Sequence, residues 1–305
     1  MNWNFGLPRR GLLLLTLGSA LISQAQTPLQ VVATTGMVGD MVARVAGERA
    51  EVDYLMGPGV DPHLYKATAS DVRKLQRADV IFYNGLFLEG KMQSILERMA
   101  RSGRAVAAIT EGIDHDRLLD PGDGSGHPDP HLWFDTAMWS ECIPVVVETL
   151  SRVQPESAEY FAAQGEMVRQ EMASLHQWAV AKISELPKDQ RVLVTSHDAY
   201  GYFGEAYGFT VVGLQGISTV SEAALADMAQ LVDFIRERQV KAIFVESSVP
   251  HATIERIATD AQVEIGGELF SDAMGTPGQM ENGYDLGTYD GMVRHNITTI
   301  VEALK

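Results

Sequence analysis

The stretch from Pro155 to Leu186, PESAEYFAAQGEMVRQEMASLHQWAVAKISEL, contains no internal glycine or proline except Gly165. Pro155 stands where a first-turn proline belongs, with its φ preset and no N–H to lose. Pro187 marks the stop, because a proline pushes the residue before it out of helical backbone. Phe161, Met167, Val168, Met172, Leu175, Trp178 and Ile183 recur at helical spacing and form one apolar stripe. The stretch predicts a single helix of ~45 Å at 1.5 Å per residue. Its stripe packs either against the chain's own flanking lobes or against a coiled-coil partner. A rod of this kind between two lobes excludes a flexible clamshell hinge, so motions on ligand binding are expected to be small.

On both sides of the rod, strand-like apolar runs alternate with helix-like segments, the pattern of parallel sheets covered by helices. Before it the strands fall at Gln30 to Thr35, Glu51 to Met56, Asp79 to Gly85 and Ala105 to Thr110. Helices fall near Met37 to Val45, Ser70 to Arg77 and Glu89 to Arg101, the second opened by a Thr68/Asp71 capping pair. After it come strands at Arg191 to Ser196, Phe209 to Leu214, Lys241 to Glu246 and Val263 to Leu269. The helices there are Ser221 to Arg238, Ile254 to Asp260 and Tyr289 to Leu304. The expected class is therefore α/β, with two similar lobes, 26–150 and 189–305, joined by the helical segment 151–188.

Residues 1–25 stand apart from this pattern. Arg9 and Arg10 precede a short apolar run from Gly11 to Ile22, and Ser23-Gln24-Ala25 offers small residues at a cleavage site. The run is shorter than the ~20 residues that span a bilayer, so it reads as a secretory signal peptide, with the arginine pair also allowing a twin-arginine route. Its loss removes two arginines and no acid, taking the formal charge of the 305-residue chain from −16 to −18. A mature protein this acidic has no general attraction to phosphate backbones or anionic lipid, so nucleic acid is not an expected partner. With 46% hydrophobic residues the chain is not predominantly disordered. The only cysteine, Cys142, lies in an apolar helical stretch and reads as a buried small hydrophobe. It excludes an intrachain disulfide, a cysteine-rich zinc site and a lipidated N-terminus, leaving a freely diffusing periplasmic monomer.

Any metal must then be held by histidine and carboxylate. The pentapeptide Asp61-Pro62-His63-Leu64-Tyr65 recurs as Asp129-Pro130-His131-Leu132-Trp133, each copy after a glycine-bearing stretch and before a helix. In both, proline stiffens the turn that presents the imidazole. His197 ends the strand Val192 to Ser196, and ligands of parallel sheets collect at the carboxyl ends of strands. Asp272, in Leu269-Phe270-Ser271-Asp272-Ala273-Met274-Gly275, follows the last strand, with Glu246 as its rival at a comparable strand end. Three imidazoles and one carboxylate suit Zn²⁺, or Mn²⁺ and Fe²⁺ where the carboxylate is bidentate. Because the imidazoles must be neutral to ligate, affinity is expected to fall as pH drops through about 6. The remaining histidines are expected in plainer roles: His176 and His295 in packing or at the surface, and His251 near a helix start. His115 and His127 lie in the acidic loop Asp114 to Asp129, where transient capture of metal is the alternative to a solvated turn.

These two pentapeptides, together with Val194-Thr195-Ser196-His197-Asp198-Ala199-Tyr200-Gly201-Tyr202-Phe203 and Leu269 to Gly275, resemble the metal-binding cluster A-I (TroA-like) solute-binding proteins of ABC importers, the zinc and manganese receptors. The likeness covers residues 28 to 305. It implies that His63, His131, His197 and Asp272 are the four ligands, with Asp272 preferred over Glu246. It further implies no enzymatic activity and an ABC permease of the inner membrane as partner. Manganese members tend to have Glu where this chain has His197, and zinc members a long His-rich loop where it has only Asp114 to Asp129. The competing readings are a secreted zinc hydrolase, with Glu246 or Asp198 as general base, and a receptor for an organic metal chelate.

Overall fold

The computed structural model describes residues 1–2, 27–122, 124–221 and 223–305. The expected export segment from Arg9 to Ala25 lies outside the described residues. Thr35 turns the chain from strand to helix: its side chain accepts the Val38 N–H and so satisfies a free donor of the first helical turn. This joins β1 (Leu29–Ala33) to α1 (Gly36–Ala46), followed by β2 (Ala50–Tyr54), α2 (Ala69–Arg77), β3 (Val80–Tyr83), α3 (Gln93–Arg101) and β4 (Ala105–Ala108). The four strands form one parallel sheet in the order β2-β1-β3-β4, with Val31 opposite both Val52 and Val80. The order reverses between β1 and β3, and loops at the carboxyl ends around such a switch point form a natural crevice. The Thr68/Asp71 capping box opens α2, and the Tyr65 hydroxyl donates to Asp71 Oδ2 at 2.8 Å, so the first pentapeptide is tied to that helix.

Next come α4 (Thr136–Ser140), α5 (Ile143–Val153) and α6 (Ala158–Ile183). The expected long helix is shorter at both ends, because Pro155–Ser157 forms a 3₁₀ turn and the chain leaves the helix after Ile183. Its 26 residues span ~39 Å at 1.5 Å each. α6 packs on α1, α4 and α5 of the first lobe and on α10 (Tyr289–Leu304) of the second, so its stripe is spent within the chain. Met167 does not belong to that stripe and is 47% exposed, whereas Gly165 is buried. A Cβ at Gly165 would meet Val147 Cγ2 at 2.6 Å, so this glycine is what lets α6 and α5 approach so closely.

The second lobe comprises β5 (Val192–His197), α7 (Gly201–Tyr207), β6 (Thr210–Gln215), α8 (Leu225–Arg238), β7 (Ala242–Glu246), α9 (Ala252–Ala261) and β8 (Glu264–Leu269). A small hairpin of β9 (Met280–Glu281) and β10 (Tyr284–Asp285) precedes α10. β5 pairs in parallel with β6 and β7 with β8, and β5 lies beside β7. Side chains alternate across these strands: Leu193 and Phe244 face a core shared with the first lobe, while Val194, Ile243 and Val245 face α8 and α9. The shared core runs from Val31 and Phe82 through Phe161 and Met172 of α6 to Leu269 and Tyr289, with Cys142 buried inside it. One apolar interior thus serves both lobes and holds the cleft loops in register. Among the described residues, no helix is long and apolar enough to cross a membrane.

Candidate metal centre

The repeated Asp-Pro-His is one local device used twice. Asp61 Oδ1 accepts the His63 backbone N–H at 2.8 Å, and Asp129 Oδ1 accepts that of His131 at 2.9 Å. Each aspartate side chain closes a turn over its proline, and each imidazole projects from the resulting knuckle. In the second copy Asp129 Oδ1 also meets His131 Nδ1, at 2.7 Å. His197, at the end of β5, is gripped in the same way by a residue of the neighbouring strand. Glu246 Oε1 accepts its backbone N–H at 2.9 Å and Oε2 meets its Nδ1 at 2.5 Å. A carboxylate on Nδ1 fixes the proton there and leaves Nε2 with its lone pair free for a cation. Glu246 is therefore a positioning group behind His197, and the carboxylate that faces the imidazoles is Asp272.

Four segments at the carboxyl ends of strands bring these groups together. His63 Nε2 lies 3.3 Å from His131 Nε2 and 3.6 Å from Asp272 Oδ2; His131 Nε2 is 3.4 Å from Asp272 Oδ1, and His197 Nε2 is 3.3 Å from Asp272 Oδ2. One ligand atom from each of the four residues lies within 4.8 Å of every other. Ligands ~2.0–2.1 Å from a tetrahedral cation are separated by about 3.4 Å, the spacing seen along most of these edges. Asp272 is buried, and neither of its oxygens has a hydrogen-bond partner among the described residues; His197 Nε2 has none either. An anion taken from water and given no donor is costly unless a cation faces it.

The electrostatics follow from burial and these contacts. Burial pulls the His63 imidazole down to about 3 against the attraction of Asp272. Burial also pulls on His131, but Asp129 and Asp272 overrule it and hold that imidazole up at about 9. His197 is raised too, by Glu246 and Asp272 against burial. Burial would raise Asp272, yet His197 and His131 keep its carboxyl well below the usual range. A cation taking Nε2 of His131 must displace a proton that Asp129 and Asp272 help to hold, so loss of affinity on acidification is expected to begin above the ordinary imidazole range.

A model of the ZnuA family, described as zinc-uptake complex component A, periplasmic, matches residues 31–303. The chain belongs to this family. It is 47% identical over 279 residues to the zinc-binding protein TroA of Treponema pallidum, covering 90% of this chain and 88% of that relative. To the manganese-binding lipoprotein MntA of Bacillus subtilis it is 43% identical over 286 residues, covering 92% and 91%. The solved structure of the periplasmic zinc binding protein TroA from Treponema pallidum superposes with a TM-score of 0.85 at 46% identity, over 91% of this chain and 99% of that one.

In this ZnuA-family chain no other histidine among the described residues joins the group of four. His176 Nδ1 meets Thr136 Oγ1 at 3.0 Å, His295 bridges Glu281 and the Glu268 carbonyl, and His251 Nε2 meets the Glu246 carbonyl at 3.0 Å. His127 stacks on Phe87 at 4.3 Å, and both line a pocket of about 150 Å³ that reaches His63. In sequence Asp129 stands only as a restrained turn residue; the signal of its second role is an aspartate two residues before each paired histidine. Replacing Glu246 by Gln puts an amide against His197 Nδ1 and disturbs the tautomer. Loss of a group behind a ligand costs about 10–100-fold in affinity, so Glu246→Gln is expected to weaken binding by that factor in a calorimetric titration. An unchanged affinity would remove Glu246 from this role.

Proposed function

We propose that this chain captures one divalent cation, Zn²⁺ or Mn²⁺ with Fe²⁺ also accommodated, using His63, His131, His197 and Asp272 as ligands, and delivers it to the permease of an ABC importer. The observation that carries this reading is the buried Asp272 carboxylate, which among the described residues receives no well-formed hydrogen bond and has three imidazole Nε2 atoms within 3.6 Å. The names of its relatives, one zinc-binding and one manganese-binding, support a metal cargo and leave its identity to the donor set. Three nitrogens and an oxygen favour zinc, because affinities at such sites rise from Mn²⁺ towards Zn²⁺.

The chain acts as a receptor rather than a catalyst. Four convergent side chains surround the cation position, and Glu246, a candidate general base, is occupied by His197. It works outside the cytoplasm as a monomer, and its charge of −16 gives it no attraction to nucleic acid. Relatives such as MntA are named lipoproteins, and the cysteine of this sequence, Cys142, is buried in the core. Protein stripped with a chelator is expected to take up one Zn²⁺ per chain, tighter than Mn²⁺, in calorimetric titration. Its melting temperature is expected to rise with metal, since 100-fold excess over Kd adds about 2.7 kcal/mol of stability. Absence of saturable uptake of either ion would defeat the proposal.

A further inference from the structure

The two Asp-Pro-His turns differ in one respect that the sequence repeat conceals. Asp129 directs its contacts at its own histidine, backbone and ring alike. Asp61 gives His63 only the backbone contact and spends its other oxygen across the cleft, where Oδ2 accepts the Thr219 hydroxyl at 2.5 Å. Thr219 lies on the loop between β6 and α8 of the second lobe and is only 9% exposed while Asp61 is half-buried, so this bond is partly shielded from water. Among the described residues no carboxylate meets His63 Nδ1, whereas His131 and His197 each have one. His63 thus depends on its turn for orientation, and that turn is held from the opposite lobe. The two lobes also approach closely at Gly59, where a Cβ would stand 3.4 Å from the Ser247 carbonyl. Ile217, Ser218 and Val220, beside Thr219, wall the pocket that leads to His63.

The geometry points to Thr219 and Asp61 as a cross-cleft latch that positions His63 and sets how fast the cation escapes. Breaking it frees the first turn together with the loop above it, so the ligand nearest the pocket releases first and the cleft opens to water. This rests on the metal-receptor reading above. A hydrogen bond to a carboxylate, partly shielded as here, is worth about a factor of ten in an equilibrium. On this proposal the latch must open before the cation leaves, so that factor falls mainly on release.

The test uses the full mature chain loaded with Zn²⁺ and mixed rapidly with excess chelator. Thr219→Val keeps the side-chain shape and removes the hydroxyl; it is expected to release zinc about tenfold faster while lowering the metal-free melting temperature by no more than a few degrees. Thr219→Ser is expected to restore the parent rate. In a His63→Ala background, Thr219→Val is expected to change release by less than about twofold, because the latch acts through His63. A parent-like rate in Thr219→Val, or failure of serine to restore it, overturns the latch while leaving the receptor reading intact. Failure of the parent chain to bind zinc overturns both.

Discussion

Asp272→Asn is expected to weaken zinc binding about a thousandfold. Binding free energies at four-ligand zinc sites are ~10–16 kcal/mol, or about 2.5–4 kcal/mol per ligand, which converts to a hundredfold to a thousandfold. Asp272 belongs at the top of that range because it brings the only negative charge among the four proposed ligands, and its oxygens have no other partner to retain them. One effect runs the other way. Asp272 helps hold the proton on His131, so its neutralisation makes that proton easier to displace. The offset is the smaller term, since Asp129 is the leading cause that raises His131 and it remains in place. His63→Ala removes a neutral ligand and keeps the Asp272 charge, so it is expected nearer a hundredfold. Competition against a chelator of known affinity measures both, and an Asp272→Asn affinity within about threefold of the parent would exclude Asp272 from the coordination sphere.

The features legible in the sequence are those with a local cause. The α6 rod announces itself through an unbroken stretch bounded by Pro155 and Pro187, and the paired knuckles through a repeat in which proline restrains both neighbours. What stayed hidden depends on which strand lies beside which. Glu246 ends β7 and Asp272 follows β8, and composition does not separate them. Only the placement of β7 next to β5 puts the Glu246 carboxylate behind the His197 ring, leaving Asp272 in front of it. Thr219 is one hydroxyl in a polar loop, and its partner is remote in sequence. Met167 falls at stripe spacing, yet Gly165 occupies the close contact with α5 and Met167 faces water. The helix expected after the second pentapeptide is the short α4, capped by Asp135, whereas the β9–β10 hairpin, turned by Asn282 and Gly283, carries too few residues to show a period.

Trp133→Ala is expected to be the most destabilising single substitution near the site, because Trp133 ties the second knuckle to the other lobe by both its ring and its backbone. The indole is fully buried, its ring meets His131 edge-on at 5.2 Å, and Nε1–H donates to the Ser271 carbonyl at 3.0 Å. The Tyr289 hydroxyl, at the start of α10, donates to the Trp133 carbonyl at 2.6 Å. Truncating a buried tryptophan costs about 3–5 kcal/mol, and leaving the Ser271 carbonyl without its donor adds ~1–3 kcal/mol. For a chain of this size that lowers the melting temperature of the metal-free protein by about 10 °C or more. Trp133→Phe separates the two contributions: most of the apolar area stays and the N–H is lost, so the melting temperature is expected to fall by only about 3 °C. Ser271 immediately precedes Asp272, so the same loss frees the carboxylate loop, and Trp133→Phe is expected to weaken metal binding more than its small stability cost would suggest. Calorimetric melting of both variants without metal, alongside zinc titration of Trp133→Phe, measures each term. A Trp133→Ala melting temperature within about 3 °C of the parent would show that the lobes are held without this contact.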